Sequence, residues 1–275
     1  MSTDESGMEP VQPATPLAPW AGGKKLLASR IIARIEAIPH RCYAEPFAGM
    51  GGVFLRRRSR PKSEILNDIN GEIVNLYRIL RDHPDALEAE FDLCLSARAE
   101  WERLLRVPPD TLTDIRRAAR WAFLQKLSYG GGPAHLAKAG NFAPSAAEWS
   151  RLRTATMVAA IRKAHDRLQG AHVECLDWHA FIPRYDGPGT LFFLDPPYPG
   201  HEECYGKGVF APQEFDRMAG LLRRLKGRFL MSVGDTERIR KLFAWADIEE
   251  ARTRYSRAGR SRQADKKVTE LLISG

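Results

Sequence analysis

The stretch Gly189-Thr190-Leu191-Phe192-Phe193-Leu194-Asp195-Pro196-Pro197-Tyr198 decides the fold of this chain. Its four consecutive apolar residues predict a strand that is buried on both faces of a sheet. The two prolines end this strand, because proline supplies no N–H to the ladder and has a fixed φ. The stretch therefore predicts a rigid corner at the carboxyl end of a central strand, where open α/β sheets bind their ligands.

Three groups at this corner suit a planar amine. They are the carboxylate of Asp195, the backbone carbonyl of Pro196 and the ring of Tyr198. A base with an exocyclic amino group needs two acceptors for its N–H bonds and an aromatic ring to stack on. A solvated aspartate in front of a turn is the simpler alternative, and the remaining motifs have to decide between the two.

Composition narrows the class of protein. The 275 residues are 44% hydrophobic, which is enough for a substantial core. The net charge of +8 favours a polyanionic partner, although ordinary solubility charge would look the same. The four scattered cysteines predict neither a zinc site nor a disulfide framework, so no metal is expected. Since there is no signal peptide and no run of membrane-spanning length, we expect a cytoplasmic protein without membrane contact.

The order of helix and strand signals predicts the fold class. Residues 1–18 are rich in Pro, Ser, Thr and Glu, which predicts a disordered leader. The signals that follow are a helix at 25–38, a strand at 42–44, a helix from Val53, a strand at 64–67 and a helix at 69–80. This alternation is typical of the first half of a doubly wound sheet, so we predict an α/β, Rossmann-like fold.

A change of pattern in the middle of the chain predicts an insertion. From Asp85 to Ser150 the chain is helical, basic and rich in tryptophan, and it lacks strand signals. Strand signals return at 172–176, 191–194, 229–233 and 268–273, with a helix from Pro212 to Leu225. We therefore expect one catalytic domain built from 19–84 and 151–275, with an inserted helical subdomain at 85–150.

The glycine-rich turn Gly49-Met50-Gly51-Gly52 indicates the kind of cofactor. Phe54 stands where a dinucleotide fingerprint needs a third small residue, and the Gly-Lys-Ser/Thr of a P-loop is absent. What remains is a turn that lets the backbone approach a ligand, with Asp68 after the next strand placed to accept from ribose hydroxyls. A nucleoside cofactor without phosphates fits both features, and S-adenosylmethionine is the obvious candidate.

Four short motifs follow one another along the chain. They are Trp20-Ala21-Gly22-Gly23-Lys24, then Glu45-Pro46-Phe47 with Gly49 and Gly51, then Asn67-Asp68-Ile69-Asn70, then Asp195-Pro196-Pro197-Tyr198. This series resembles the DNA adenine methylase (Dam) family of N6-adenine-specific DNA methyltransferases, the D12 class, over nearly all of the chain beyond the leader. The resemblance implies a class I methyltransferase fold with an inserted DNA-recognition subdomain. It also implies methyl transfer from S-adenosylmethionine to N6 of an extruded adenine in double-stranded DNA, by a bacterial or phage-encoded enzyme.

The resemblance also implies site residues. The catalytic motif falls on Asp195, Pro196, Pro197 and Tyr198. The cofactor-binding residues fall on Trp20, Lys24, Phe47, Gly49, Gly51, Asp68 and Asp195. Taken alone, Trp20 could be a hydrophobic staple and Lys24 a solvated lysine. Asp177 could meet the cofactor adenine or cap the following helix.

The insert supplies the candidate DNA contacts. We expect Arg116, Arg117 and Lys126 to bind phosphates, because basic side chains on a recognition insert act as an electrostatic clamp. Tyr129 and His135 belong to segments where the chain departs from the family pattern, so they are candidates for target recognition while the target sequence stays open. The basic segment 252–267 is a further phosphate candidate, and the arginines at 56–58 could simply solvate a helix end.

The expected reaction is site-specific methylation of adenine in DNA. Asp195 and the Pro196 carbonyl, accepting both N6 protons, would favour the pyramidal nitrogen of the transition state. The same chemistry on RNA adenine, cytosine N4 or a protein glutamine is one alternative, and Asp instead of Ser or Asn before Pro-Pro-Tyr argues against it. A catalytically idle DNA-binding module is another, and it would have no use for Asp195 or the glycine turn.

Overall fold

The structure, a computed structural model, describes residues 7–20, 22–128, 141–142, 150–200, 208–254 and 267–275. The predictions for Tyr129 and His135 lie outside the described residues. The strands are β1 Glu9–Pro10, β2 Cys42–Glu45, β3 Ser59–Arg60, β4 Ser63–Asn67, β5 His172–Glu174, β6 Thr190–Leu194, β7 Arg228–Gly234, β8 Asp247–Arg254 and β9 Lys267–Ser274. The helices are α1 Ala28–Ala37, α2 Gly71–Asp82, α3 Pro84–Ala89, α4 Arg98–Arg106, α5 Asp114–Leu127, α6 Thr154–Leu168, α7 Trp178–Tyr185, α8 Glu214–Leu222 and α9 Glu237–Leu242.

Seven of these strands form one sheet in the order β5-β4-β2-β6-β7-β9-β8. β5, β4, β2, β6 and β7 are parallel, while β9 runs antiparallel to β7 and to β8. The chain winds outward to one side from β2 and to the other side from β6, so the switch point lies between these two strands. The carboxyl ends of β2, β4 and β6 meet there, at the edge where a doubly wound sheet binds its ligand. The predicted Rossmann-like α/β class is confirmed.

β6 is the central strand that the apolar run predicts. All of its residues, Thr190–Leu194, are buried. β2 pairs with it on one side and β7 on the other, so both of its backbone edges are hydrogen-bonded. A strand covered on both faces and both edges is rigid, which fixes the position of Asp195 at its end.

The helices of the insert pack on the same core as the first half of the sheet. Trp101 of α4 and Trp121 of α5 are fully buried, and they belong to one apolar cluster with Leu76 of α2 and Tyr43 of β2. The side-chain amide of Asn75 donates to the Asp114 carbonyl at the start of α5 (2.8 Å). The insert is therefore anchored through α2 and has no separate core within the described residues.

The leader is not disordered over residues 7–18, contrary to the prediction. β1 pairs antiparallel with β3, and the Ala14 N–H donates to the Leu55 carbonyl (2.7 Å). Ala14, Leu17 and Ala18 are buried in the core cluster. A few small apolar residues are enough here because neighbouring elements already supply the rest of the hydrophobic surface.

Two further expectations are corrected. The helix predicted from Val53 is only a 3₁₀ turn, Phe54–Arg56, because the chain becomes extended at Arg57 and directs that side chain inward. The arginine run is therefore not a solvated helix end, since Arg57 is fully buried. β8 was not predicted because acidic and basic residues fill this edge strand, where charge is common and hides the alternation.

Candidate active site

A cavity of about 530 Å³ opens at the carboxyl ends of β2, β4 and β6. Six of the predicted cofactor residues line it: Trp20, Lys24, Phe47, Gly49, Asp68 and Asp195. Gly51 does not line the cavity but shapes the turn, since its φ is +71° and a Cβ there would lie 2.8 Å from the Tyr77 hydroxyl oxygen. The structure thus brings together motifs that are up to 175 positions apart in the sequence, from Trp20 to Asp195.

The glycine turn is held from several sides. Gly49 has φ +49°, and a Cβ at this position would lie 2.9 Å from Nε1 of Trp20. The indole therefore lies directly against the turn, as expected of a cavity residue and not of a helix staple. The Tyr77 hydroxyl donates to the Gly49 carbonyl (2.8 Å), and the Gly49 N–H donates to Oδ2 of Asp68 (2.8 Å). These contacts preorganise the backbone that faces the cavity.

Asp68 does more than the sequence indicated. Its Oδ1 accepts from the Asn70 N–H (2.9 Å) while Oδ2 accepts from Gly49. Burial raises the pKa of Asp68 to about 6, although both backbone hydrogen bonds oppose the rise. Each carboxylate oxygen still has lone-pair capacity for a second donor. Asp68 therefore links the turn after β2 to the start of α2 and also faces the cavity.

Lys24 is buried at the catalytic corner. It is 3% exposed, and its Nζ lies 2.7 Å from Oδ1 of Asp195 and donates to the Gly22 carbonyl (2.6 Å). The same ammonium lies 4.7 Å from the centroid of the Tyr198 ring. Burial raises the pKa of Asp195, and the charge of Lys24 opposes that rise. Lys24 is therefore part of the cluster around Asp195 and not a solvated lysine.

The tetrapeptide is seated against β7 and β9. The Ser232 hydroxyl donates to Oδ1 of Asp195 (3.0 Å). The Tyr198 hydroxyl donates to Oε2 of Glu270, and a Cβ at Gly234 would lie 3.3 Å from Cδ2 of Tyr198. The carboxylate is thus tied to β7, and the ring is tied to β9 and packed against β7. Ser232 and Glu270 were not predicted as site residues, because only the pairing of distant strands brings them here.

Two acceptors of the tetrapeptide remain available. The side chain of Asp195 keeps 21% of its exposure. Within the described part of the chain, no hydrogen bond reaches its Oδ2 or the Pro196 carbonyl. Pro196 and Pro197 are themselves buried, and Pro197 lines the cavity. The corner therefore has two acceptors to which no described residue donates, and a ligand with two N–H bonds would match them.

Glu45 is a cavity residue that sequence reasoning treated only as part of a motif. It is 2% exposed, and the Tyr43 hydroxyl donates to its Oε1 (2.6 Å). Burial raises its pKa to about 8, so the carboxyl group is largely protonated at neutral pH. A protonated carboxyl group can donate a hydrogen bond into the cavity. Its position at the end of β2, directly before the glycine turn, was the signal in the sequence.

Asp177 caps the following helix, while its contact with the cofactor adenine stays a prediction. Its Oδ1 accepts from the His179 N–H (3.1 Å), which caps α7, and the residue lines the cavity.

Within the described ranges, no group of three His, Cys, Asp or Glu side chains is arranged to hold a metal ion. The same residues include no helix that is long and apolar enough to cross a membrane.

The predicted DNA-contacting residues separate into three environments. Lys126 lines the cavity and donates to the Leu17 carbonyl (2.6 Å), and burial lowers its pKa. Its role as a phosphate contact stays a prediction, and α5 directs its side chain toward the cavity. Arg117 donates to Glu72 (2.7 Å), whereas the side chain of Arg116 is 67% exposed and lies 3.5 Å from Glu90. Arg116 is thus the most accessible of the three.

Comparison with known proteins shows the family of this chain. The chain is 26% identical over 265 residues to a DNA adenine methylase of Salmonella typhi, covering 92% of both chains. It is 25% identical over 234 residues to the type II methyltransferase M.CviBI of Paramecium bursaria Chlorella virus NC1A, covering 83% of this chain and 86% of the relative. A type II methyltransferase of Methanocaldococcus jannaschii, M.MjaIII, is 24% identical over 241 residues. Residues 20–256 match the model of the D12 class N6 adenine-specific DNA methyltransferases, and the chain belongs to this family.

Proposed function

We propose that this adenine-specific DNA methyltransferase uses S-adenosylmethionine and acts on an adenine extruded from double-stranded DNA, with Asp195 and the Pro196 carbonyl as the acceptors for N6. The observation that carries the proposal is the pair of available acceptors at the corner after β6, beside a cavity lined by the glycine turn and Asp68. The names of the relatives support DNA as the substrate class.

The cavity fits the proposed cofactor. Its volume of about 530 Å³ is in the range of small-molecule sites, and its wall combines apolar surface with a few converging polar groups. Trp20 and Phe47 would pack on the adenine and ribose, and Asp68 would accept from ribose hydroxyls. The absence of a Cβ at Gly49 lets the Trp20 indole lie against the turn at the wall of the cavity. Bound there, S-adenosylmethionine supplies a methyl group activated by a sulfonium.

The residues of the corner prepare the nucleophile. Adenine N6 is a poor nucleophile, because its lone pair is delocalised into the ring. Oδ2 of Asp195 and the Pro196 carbonyl would each accept a hydrogen bond from one N6–H. These two hydrogen bonds favour the pyramidal form of the nitrogen, whose lone pair is no longer delocalised into the ring. This stabilisation grows as charge develops on N6, so it acts on the transition state more than on the ground state. The raised pKa of Asp195 makes it a better acceptor for the departing proton.

Tyr198 provides a surface for the extruded base. A base that leaves the duplex loses stacking worth a few kcal/mol, which an aromatic side chain at the site can partly restore. The hydrogen bond from the Tyr198 hydroxyl to Glu270 fixes the orientation of the ring before the base arrives.

Product analysis tests the proposal. Purified protein is incubated with methyl-labelled S-adenosylmethionine and double-stranded DNA, single-stranded RNA or a protein mixture, and the hydrolysed products are separated by chromatography. We expect label in N6-methyladenine from double-stranded DNA. Label in N4-methylcytosine, in RNA or in glutamine would overturn the substrate assignment. Calorimetry without heat of binding at millimolar S-adenosylmethionine would overturn the cofactor assignment.

A further inference from the structure

Two donors converge on one oxygen of Asp195. The Ser232 hydroxyl donates to Oδ1 (3.0 Å), and the Lys24 ammonium lies 2.7 Å from the same atom. The second oxygen, Oδ2, receives no hydrogen bond from the residues that the structure describes. The carboxylate therefore has one occupied and one available side, although its χ2 torsion would otherwise be broad and roughly two-fold.

Ser232 approaches from a rigid strand. Leu194 of β6 is in register with Met231 of β7, so Asp195 and Ser232 are the next positions along two parallel strands. β7 is paired with β6 on one side and with β9 on the other, where Ser232 lies opposite Leu272. Ser232 is fully buried. Its hydroxyl is consequently held in place by the sheet, whereas Lys24 reaches Asp195 through a long flexible side chain.

We propose that Ser232 is a positioning residue for methyl transfer: by holding Oδ1 of Asp195 together with Lys24, it turns Oδ2 toward the N6 amine. This inference rests on the proposed role of Asp195. Ser232 is fully buried and does not line the cavity, so it acts only through the orientation and charge of the carboxylate. Loss of the hydroxyl leaves one flexible donor to fix a group that must be correctly aligned, and small misalignments are costly to catalysis.

A second effect follows from the same hydrogen bond. A donor to a carboxylate stabilises its ionised form, so Ser232 holds the pKa of Asp195 down while burial and the nearby Glu270 raise it. Among the described residues, Lys24 also faces Asp195 and holds its pKa down, and Glu45 lies on the neighbouring strand. Since only the ionised carboxylate has both oxygens free to accept, activity falls as pH drops through this pKa. Removing the hydroxyl should move that acidic limb to higher pH.

The test compares Ser232→Ala with the control Thr190→Val. Thr190 is also buried, but it lies on the neighbouring strand at the end away from Asp195, where its hydroxyl donates to the Tyr185 carbonyl (2.8 Å). We expect Ser232→Ala to lower kcat at least about tenfold, as is typical for losing a hydrogen bond to a charged group. KM for DNA and the affinity for S-adenosylmethionine should stay unchanged, and the acidic limb of kcat should shift upward. Thr190→Val should leave kcat, KM, cofactor affinity and the pH profile unchanged. Ser232→Thr, which keeps the hydroxyl, should restore kcat and the position of the acidic limb of its pH profile.

Either of two results would overturn the proposal: a Ser232→Ala enzyme with the wild-type kcat and acidic limb, or a Ser232→Thr enzyme as impaired as Ser232→Ala. Asp195→Asn, measured in parallel, separates this outcome from a failure of the proposed function. If Asp195→Asn retains turnover, the role of Asp195 itself is wrong. If it is inactive while Ser232→Ala behaves as wild type, only the role of Ser232 is lost.

Discussion

Two buried charge clusters lie at opposite ends of the parallel strands of one sheet. They differ in how many oxygens of the central carboxylate are occupied. At the amino end of β4, Glu64 accepts from Arg57 (2.9 Å) and from two nitrogens of Arg167 (2.7 and 2.8 Å). At the carboxyl end of β6, Asp195 meets Lys24 and Ser232 on a single oxygen. The first carboxylate has both oxygens occupied and the second has one available.

The two clusters also differ in how deeply their side chains are buried. Arg57 and Arg167 are fully buried, and their guanidinium groups lie 3.9 Å and 3.8 Å from the ring centroids of Tyr43 and Phe54. The Asp195 side chain keeps 21% exposure next to a cavity. We therefore assign the saturated Glu64 cluster to structure, and the proposed function assigns the Asp195 cluster, with its open acceptor, to chemistry. Variants of the two clusters should accordingly have opposite effects on stability and on turnover.

The largest effect on stability is expected from Glu64→Gln. The change leaves two buried arginines without a counter-charge, and removing one member of a buried ion cluster costs about 3–5 kcal/mol. Chemical denaturation measures it. The control is Glu249→Gln, which disrupts the partly exposed pair with Arg30 and should cost at most about 1 kcal/mol. Equal losses in the two variants would contradict the structural role of the Glu64 cluster.

Glu45→Gln should reveal a pH-dependent contribution. Burial raises the pKa of Glu45 from 4.5 to about 8, so the folded state keeps a proton that the unfolded state releases in this window. Wild-type stability should therefore fall, relative to Glu45→Gln, as pH rises from about 4.5 to about 8, by up to roughly 1.4 kcal/mol per pH unit. Unfolding curves at several pH values measure this, and a constant difference between the two proteins would refute it.

Asp68→Ala should weaken cofactor binding by about 1–3 kcal/mol, because a ribose acceptor and the tie to the Gly49 N–H are both lost. Titration calorimetry with S-adenosylmethionine measures the change. Asp216→Ala, which removes an exposed carboxylate paired with Arg238 (2.6 Å), is the matched control and should bind as wild type. Unchanged affinity in Asp68→Ala would remove this residue from the cofactor site.

The smallest effect is expected from Arg116→Ala. If Arg116 touches phosphate, its loss should weaken DNA binding alike on all sequences and reduce the salt slope by about one. Arg217→Ala on α8, whose side chain is similarly exposed, is the control for general loss of positive charge. An identical salt slope in Arg116→Ala and wild type would place the phosphate contacts elsewhere.

The sequence predicted the elements whose pattern is local. The apolar run at Leu191–Leu194, the glycine turn and the apolar periodicity at 69–80 each give their element directly, and β6, the turn and α2 lie where these signals predict. The order of the motifs placed Asp68 and Asp195 at one edge of the sheet, because parallel strands bring their carboxyl ends together.

The features that the sequence did not predict depend on where a side chain points in the folded core. Arg57 in a basic run and Lys126 on a basic helix have the composition of surface residues, yet one is fully buried and the other lines the cavity. Ser232 and Glu270 join the site only through the pairing of β7 with β6 and β9. The protonation of Glu45 follows from burial by surrounding elements, which no local pattern encodes.

Single-turnover methyl transfer by Asp195→Asn, measured beside Glu64→Gln, tests the central claim most directly. Asp195→Asn keeps the shape of the side chain but replaces one acceptor with a donor. It should therefore lower the rate by about 10²–10³-fold or more, while it costs less stability than Glu64→Gln because the Asp195 side chain keeps 21% exposure beside the cavity. Glu64→Gln should lose stability while the rate per folded molecule stays near wild type. Near-wild-type turnover by folded Asp195→Asn, with cofactor and DNA bound, would contradict the assignment of the open acceptor to catalysis.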